Sequence, residues 1–557
     1  MKDEIQKIFK GEVDDTPDTL TKYSRDASLL LVRPQVVVFP KDSEDVQNLV
    51  RWVNDNKAKY PHLSITARCA GTDMSGGAIG ESIIMDFTRH MNRLIGWNHP
   101  LKNSSEATSI TVEPGMFYRD FEKITLERGM ILPCYTASKS LNAMGGMFGN
   151  NAAGEKTLKY GKTEDYILET KIVFADGVER VVKPISLDDI SQKEEMYKKL
   201  YTLIKQNKEE IKKAKPKVHK NSAGYYLWNV IQEDTFDLNK LLVGSQGTLG
   251  IATEITFKLI RNPEYSKLVA IFINDLEPLG RLVYEILQLR PETLEAYDDK
   301  TMKLAIRFFP DFLKNKGLVG MIKFLWSFLP EAFMMAYARG FPKLILLVEF
   351  AGVDNADTDK KCTELVKKIE SFKLKTHITE SQAESGKYWD IRRESFSLLR
   401  KHVNKKHTAP FIDDIIVRPE FLPKFIPELN KILSKYDLTF TIAGHAGDGN
   451  FHVIPLMDFS LDDTSRIIME LSEAVYDLVE RFHGSITAEH NDGLIRTPFL
   501  PKMYNKETIL LFREVKKIFD PEGIFNPGKK VALENGAGTK EYIALHIARE
   551  HSASHKV

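Results

Sequence analysis

Strand-length apolar runs and helix-period stretches alternate along the first 260 positions. "PQVVVF" (34–39) reads as a strand. In "DSEDVQNLVRWVNDN" (42–56) apolar residues recur at helical spacing behind a Ser/Asp start, an N-cap followed by an amphipathic helix. "LSITARC" (63–69) and "SIIMDF" (82–87) are strand-like and flank the glycine-rich "AGTDMSGGAIGE" (70–81). Near residue 265 the pattern restarts: "KLVAIFIN", "KLILLVEFAG" and "LTFTIAGH" read as strands, separated by helical stretches such as "DTDKKCTELVKKIESF" (357–372). The expectation is an α+β protein with an α/β module first and an α+β domain second.

Composition narrows the class. A chain of 557 residues exceeds one core, and 43% apolar with 28% charged residues is ordinary for a globular protein. Lys plus Arg (78) balances Asp plus Glu (77), which argues against nucleic acid as a partner. The 3 cysteines are widely spaced and suit neither a disulfide framework nor an iron–sulfur cluster. "MKDEIQKIFKGEVDD" has no apolar core and too many acids for a transit peptide, so a cytoplasmic chain is expected. No run reaches the 18 or more apolar residues of a membrane span. The apolar, aromatic stretch 317–341, interrupted only by Lys323, Glu331 and Arg339, reads either as a buried helical pair or as a peripheral contact with the inner membrane face.

Three glycine-rich loops carry the first chemistry: 70–81, 142–161 ("NAMGGMFGNNAAGEKTLKYG") and the "VGSQGTLG" of 243–250. Glycine lets a ligand approach the main chain closely, and three such loops in one module point to a phosphate-bearing cofactor. The first loop runs from strand to strand and lacks the G-x-G-x-x-G spacing, which disfavours a nicotinamide-type Rossmann site.

Eight motifs in order then resemble one family: "RPQVVVFPKDSEDV" (33–46), "RCAGTDMSGGA" (68–78), "VEPGMFYRDFE" (112–122), "MGGMFGNNAAG" (144–154), "VGSQGTLG", "GHAGDGNFH" (444–452), "TAEHNDGLIR" (487–496) and "IFDPEGIFNPGK" (518–529). The chain resembles the vanillyl-alcohol oxidase superfamily of FAD-linked oxidases, and within it the D-2-hydroxy-acid dehydrogenases acting on D-lactate, glycolate or D-2-hydroxyglutarate. The resemblance implies a PCMH-type FAD-binding domain of two α/β subdomains over 23–264, after a leader at 1–22. An α+β, ferredoxin-like cap domain would follow over 265–505, with an apolar segment at 301–343. Residues 506–535 would pack back on the FAD domain ahead of a tail at 536–557.

It further implies that Arg68, Ala70, Gly71, Thr72, Ser75, Gly76 and Gly77 wrap the FAD pyrophosphate. Pro133, Gly145, Gly146, Gly149, Asn150, Ala153, Gly250, Ile251 and Asn526 would meet the rest of the cofactor. Thr72 stands where relatives with covalent flavin carry His, so the FAD is expected to be dissociable. Gln246 replaces the family's usual Glu, and Asn491 its usual Gly. Near Ile412 the chain lacks a lysine that some hydroxyglutarate-type relatives use.

"TFTIAGH" and "FHVIPL" are strands around turn chemistry, a hairpin that brings His445 and His452 opposite each other. Two imidazoles are half a metal site, and Glu489 of "TAEHNDG" supplies a third ligand. The resemblance supports this trio for a divalent zinc, manganese or iron ion. It implies His490 as the acid–base residue and Arg392 of "YWDIRRESF" as the anchor of a substrate carboxylate. Asn450 and Arg496 are further candidates for contact with substrate. An α-hydroxyl about as weakly acidic as water lies roughly 9 units above imidazole, about 12 kcal/mol, so a cation that withdraws charge from the oxygen suits histidine as the base. The implied activity is oxidation of a D-2-hydroxy acid, with electrons passing to a quinone, an electron-transfer flavoprotein or a partner subunit. The rival is an alkyl-dihydroxyacetone-phosphate synthase-like transferase, which shares both domains.

Overall fold

Val36–Phe39 and Ile83–Asp86 are buried along their whole length because they lie parallel in the middle of a four-stranded sheet, in the order Glu12–Asp14, Val36–Phe39, Ile83–Asp86, Ile65–Arg68. Strands covered on both faces read as unbroken apolar runs, which is the pattern seen in the sequence. The helix Ser43–Asn56 starts on the Asp42 carboxylate, which accepts from Asp45 N–H, and turns Val46, Leu49, Val50 and Val53 into this core. This computed structural model describes residues 1–98, 108–301, 303, 342–402, 406–436 and 438–547. Most of the apolar segment 301–343, including all of 317–341, lies outside the described residues. Among the described residues no helix is long and apolar enough to cross a membrane.

A second, antiparallel sheet follows in the order Leu94–Asn98, Ser109–Val112, Ile251–Lys258, Ile167–Val173, Glu179–Val182. The glycine-rich stretch after residue 142 is partly helical rather than all loop. Met144, Met147 and Phe148 bury themselves from the helix Met144–Asn150, and that packing outweighs the poor helix propensity of its three glycines.

The third sheet has eight antiparallel strands. Its main path is Lys375–Ile378, Tyr265–Ile273, Leu344–Gly352, Thr293–Asp298, Thr439–His445, Asn450–Met457, His407–Thr408, with Ile415–Ile416 also on Asn450–Met457. Strand alternation sorts its faces. Val269, Ile271, Leu346, Ile442 and Val453 pack under the helices Leu279–Leu287, Asn355–Lys368, Leu422–Leu433 and Thr464–Arg481. Leu268, Ala270, Leu347 and Tyr297 face the other way, against Tyr388 and Ile391 of the helix Gln382–His402. The fold is α+β, and that second face is the one that carries the functional side chains.

Both ends of the described residues belong to the fold. Glu12–Asp14 pairs with Val36–Phe39, so the stretch expected as a leader supplies an edge strand. The helix Lys506–Phe519 sends Leu511, Phe512, Val515 and Phe519 into the core of the second sheet. In the stretch expected as a tail, the helix Lys540–His546 docks on the segment near residue 30, where Leu31 N–H donates to His546 O at 2.8 Å.

Candidate active site

Between the first two sheets the glycine loops line a cleft that opens to solvent. Arg68, Ala70, Gly71, Thr72 and Gly77 line it from the first loop, Gly145, Gly146, Gly149 and Asn150 from the second, and Gly250 and Ile251 from the third. A Cβ built on Gly146 meets nothing beyond its own helix backbone within 4 Å, so any side chain there stands in the cleft itself. A wall with its side chains removed, reached by three loops, fits a large cofactor held through main chain.

The other residues expected to touch the cofactor stand behind this wall. Ser75 is fully buried, its hydroxyl on Asp73 Oδ1 and its carbonyl taking Ile495 N–H. A Cβ on Gly76 would meet Leu30 and Leu494, and Pro133 and Ala153 are buried in the interior. Asn526 braces the loops: its amide donates to Gly77 O (2.9 Å) and Gln246 O (2.7 Å), and Thr66 donates to its Oδ1. Asp73, which sequence reasoning missed, ties the three loops together. Its carboxylate accepts from Ser75 and Gly77 of its own loop, from Asn150 Nδ2 and from Gln246 Nε2.

Across from the cleft, the hairpin of Thr439–His445 and Asn450–Met457 turns at Gly449, whose φ of 78° puts it in the left-handed region; a Cβ there would run into Val417 O. The register pairs His445 with Asn450 and Ala443 with His452. Both histidines therefore share one sheet face, diagonally adjacent. Glu295 of the neighbouring strand Thr293–Asp298 lies on the same face.

The three imidazoles are oriented alike. His445 Nδ1 is 2.5 Å from Glu295 Oε1, His452 Nδ1 donates to Asp413 O at 2.9 Å, and His490 Nδ1 is 2.8 Å from Asp413 Oδ2. With each Nδ1 held by an oxygen, each Nε2 turns inward. They lie 3.2, 3.3 and 3.9 Å from Glu489 Oε1 for His445, His452 and His490. Histidines that ligate metals are oriented in this way by a second oxygen partner.

Ligand-capable atoms of Asp414, His452, Glu489 and His490 come within 4.8 Å of one another. His445 stands outside that tightest grouping, yet its Nε2 meets the same Glu489 oxygen as His452. Asp414 is occupied otherwise. Its Oδ2 accepts from the N–H groups of Ala488, Glu489 and His490 and from the Thr487 hydroxyl, which fixes the turn that presents Glu489 and His490.

Charge supports a cation here. The buried carboxylates Glu295, Asp413, Asp414, Asp448 and Glu489 face the cations Lys220, Arg392 and Arg496, leaving two negative charges while the imidazoles are neutral. Burial alone would lower His445 and His490, but Glu295 raises the first and Asp413 with Asp414 the second, each to about 9. Burial and the neighbouring His490 push His452 below the usual imidazole range. Burial opposes ionisation of Glu489, yet Lys220 and His445 hold it well below the usual carboxylate range. Protonated His445 and His490 offset those two charges, and a divalent ion bound to the imidazole nitrogens would take the place of the two protons, which this nitrogen-and-carboxylate donor set fits.

Two candidates fall elsewhere than expected. Arg496 is fully buried, with Nη2 on Asp413 Oδ1 and Nη1 donating to Asn491 O at 2.9 Å, so it holds the carboxylate behind His490 and does not face a substrate. Asn450 is fully buried too, its amide donating to Asp414 Oδ1 (3.0 Å) and Ile415 O (3.2 Å). Arg392 lies at the site, its guanidinium 3.1 Å from Glu295 Oε2. Sequence reasoning also passed over Glu295, Asp413, Asp414, Asp448 and Lys220. The signal was there in part: "FIDDIIV" sets two acids in an apolar run, and buried acids need partners.

The turn and the cleft are joined directly. Asn491 takes the left-handed backbone (φ 68°) that the family gives to Gly, and its amide donates to Gly244 O (2.8 Å) and Asn150 O (3.3 Å). Gln246 on the cleft wall accepts Gly493 N–H through Oε1 at 2.9 Å.

Known proteins show the same two parts. The FAD binding domain matches residues 34–182, and the family of FAD linked oxidases, C-terminal domain, matches residues 262–530. The chain is similar to the D-2-hydroxyglutarate dehydrogenase of Escherichia coli (strain K12), 27% identical over 537 residues that cover 92% of this chain and 50% of that protein. It is similar to the glycolate oxidase subunit GlcD of Bacillus subtilis (strain 168), 26% identical over 95% of this chain and 96% of that protein. The chain spans about half the length of the first curated relatives it matches. In fold it resembles an alkyldihydroxyacetonephosphate synthase (TM-score 0.64, 14% identity, 94% of this chain and 84% of that one). It equally resembles the 4-ethylphenol oxidase of Gulosibacter chungangensis (TM-score 0.64, 15% identity, 94% of each chain). Two of the three glycine loops lie in the one matched region and the three imidazoles with Glu489 in the other, so the chain carries both domains of an FAD-linked oxidase.

Proposed function

We propose that the chain oxidises a D-2-hydroxy acid of the lactate, glycolate or 2-hydroxyglutarate type to the 2-oxo acid, using dissociable FAD and a divalent zinc, manganese or iron ion. The observation that carries this reading is the convergence of three Nδ1-anchored imidazoles on one Glu489 oxygen, beside the glycine loops. The names of the relatives support the substrate class.

In this reading His445, His452 and Glu489 hold the ion. Bound FAD would take up the hydride equivalent leaving C2, and the ion would withdraw charge from the α-hydroxyl oxygen. The side chain of His490 is 23% exposed, against 7% for His445 and 14% for His452, which makes it the imidazole open to substrate. Asp413 fixes its Nδ1 and Arg496 fixes Asp413, so once the charge of the bound ion keeps His490 neutral, Nε2 is the atom that receives the hydroxyl proton. Arg392, positioned by Glu295, takes the substrate carboxylate. Reoxidation falls to an external acceptor, a quinone, an electron-transfer flavoprotein or a partner subunit.

The test is anaerobic mixing of FAD-loaded protein with the D and L forms of lactate and 2-hydroxyglutarate, and with glycolate, followed at the visible flavin band. A D-acid or glycolate should bleach it. Dialysis against a chelator should slow bleaching by roughly 10²-fold or more without loss of the yellow colour, and added Zn²⁺, Mn²⁺ or Fe²⁺ should restore it. Metal-replete protein that no hydroxy acid bleaches would overturn the reading. Turnover of an acyl-dihydroxyacetone phosphate with a fatty alcohol, without an electron acceptor, would move the assignment to the transferase.

A further inference from the structure

Lys220 lies between the two matched domains and belongs to neither. Its side chain is fully buried, and its Nζ stands 3.0 Å from Asp448 Oδ2 and 3.2 Å from Glu489 Oε2. One oxygen of Glu489 is thus committed to an ammonium group while the other, Oε1, faces the imidazoles. Neighbouring bonds lock this placement. Ser222 N–H donates to Thr487 O at 3.1 Å, Ser485 Oγ to Asn221 Oδ1 at 2.7 Å, and Gly224 N–H to Asp492 Oδ2 at 2.9 Å. The 219–224 segment is thereby fastened along the 485–492 turn, and the stretch between the two matched domains supplies a charge to a site built in the second.

An ammonium group taken wholly out of water is costly and recovers that cost only from its partners. Lys220 is closed to substrate, since it has no exposed surface and both of its carboxylate partners hold it inside the network. Its charge acts on the site through Glu489. A lysine on one carboxylate oxygen blocks two-oxygen binding, draws negative charge from the other oxygen and repels a dication held there.

We propose that Lys220 is a positioning residue that restricts Glu489 to a single ligating oxygen and keeps the cation affinity below what the surrounding carboxylates alone would give. This rests on the reading that a divalent ion sits at Glu489. Without Lys220 the network carries one more negative charge, and Glu489 is able to close on the ion with both oxygens. Asp448 works in the opposite sense. It shares the charge of Lys220, so its neutralisation turns the whole lysine field on Glu489 and removes one negative charge.

The experiment is Zn²⁺ titration in competition with a chelator, on FAD-loaded protein first stripped by dialysis, with the flavin spectrum as the check on folding. The K220M variant should bind Zn²⁺ tighter by roughly tenfold or more, and D448N weaker by a similar factor. Loss of packing would weaken both, so the opposite signs separate charge from structural damage. K220M binding no tighter than the wild-type protein overturns the proposal. If K220M does not fold without the ion, D448N decides: weaker binding supports the proposal, and equal or tighter binding overturns it. Wild-type protein that binds no Zn²⁺, Mn²⁺ or Fe²⁺ refutes the cation reading itself, whereas a wild-type protein that binds while the variants move the wrong way refutes only the role of Lys220.

Discussion

The cofactor cleft and the histidine site adjoin, yet they are built by opposite means. The cleft is made by subtraction: glycines from three loops clear side chains from a wall. The histidine site is made by addition: five buried carboxylates, three cations and three imidazoles from distant positions are packed into the interior. A wall of main chain tolerates change wherever no atom is displaced. A network of buried charges does not, because each member removed leaves a partner without compensation. The two regions should therefore break differently.

The largest effect is expected from E489Q. Neutralising Glu489 removes its charge and turns one of its two oxygens into an amide nitrogen, while Lys220 claims the oxygen that remains, and bleaching of the bound flavin by hydroxy acid should fall by roughly 10³-fold or more. FAD content should stay at the wild-type level, since Glu489 lies outside the cleft wall. Equal loss of FAD and of bleaching would erase the division between the two regions. Next is D413N, which takes the carboxylate from both His490 Nδ1 and the buried Arg496. We expect about a 10²-fold drop in the rate of bleaching, from a base no longer oriented. Chemical denaturation should also show a stability loss of about 3–5 kcal/mol, from a buried guanidinium left without its partner.

The same contrast explains what was legible in the sequence. Glycines removed for a ligand are visible one residue at a time, and the loops around Gly71, Gly146 and Gly247 announced a cofactor before any fold was known. The hairpin reading likewise set His445 and His452 together, although the register makes them diagonal neighbours rather than directly opposite. The charge network was only half visible. Glu295, Asp448 and Lys220 look in isolation like ordinary surface residues, and they become site residues only because the topology sets Thr293–Asp298 beside Thr439–His445 and the 219–224 segment along the 485–492 turn. Arg496 was read as a carboxylate-binding residue for the same reason. Its partner, Asp413, is 83 positions away. Asn526 and Ser75 carry the family pattern yet brace the cleft from behind, because a motif records which positions are constrained and not which side of the wall each one faces.

Substitution on the cleft wall should be milder. G146V places its Cβ where nothing beyond its own helix backbone lies within 4 Å, so thermal stability of the FAD-free protein should change by no more than the helix-propensity difference, about 0.5 kcal/mol. FAD affinity should drop by roughly tenfold or more, read by fluorescence on dissociation. A variant that keeps its FAD would show that the cofactor does not approach this face of the helix Met144–Asn150.

The smallest effect should come at the seam between the two regions, Asn491. Its left-handed backbone costs a non-glycine residue roughly 1–2 kcal/mol, so glycine there relieves strain. The Asn491 amide, however, donates to Gly244 O and Asn150 O across the seam, and each such bond is worth about 0.5–1.5 kcal/mol net. The two terms nearly cancel, and N491G should lose about 1 kcal/mol or less in chemical denaturation. N491A keeps the strain and gives up both bonds, so it should lose more than N491G. The difference between the two variants isolates the backbone cost, because neither retains the amide. If N491G proves more stable than the wild-type protein, the amide contributes less than the strain it imposes. The link between turn and cleft would then rest on Gln246 and Gly493, and the asparagine would be held at this position for the placement of His490 rather than for stability.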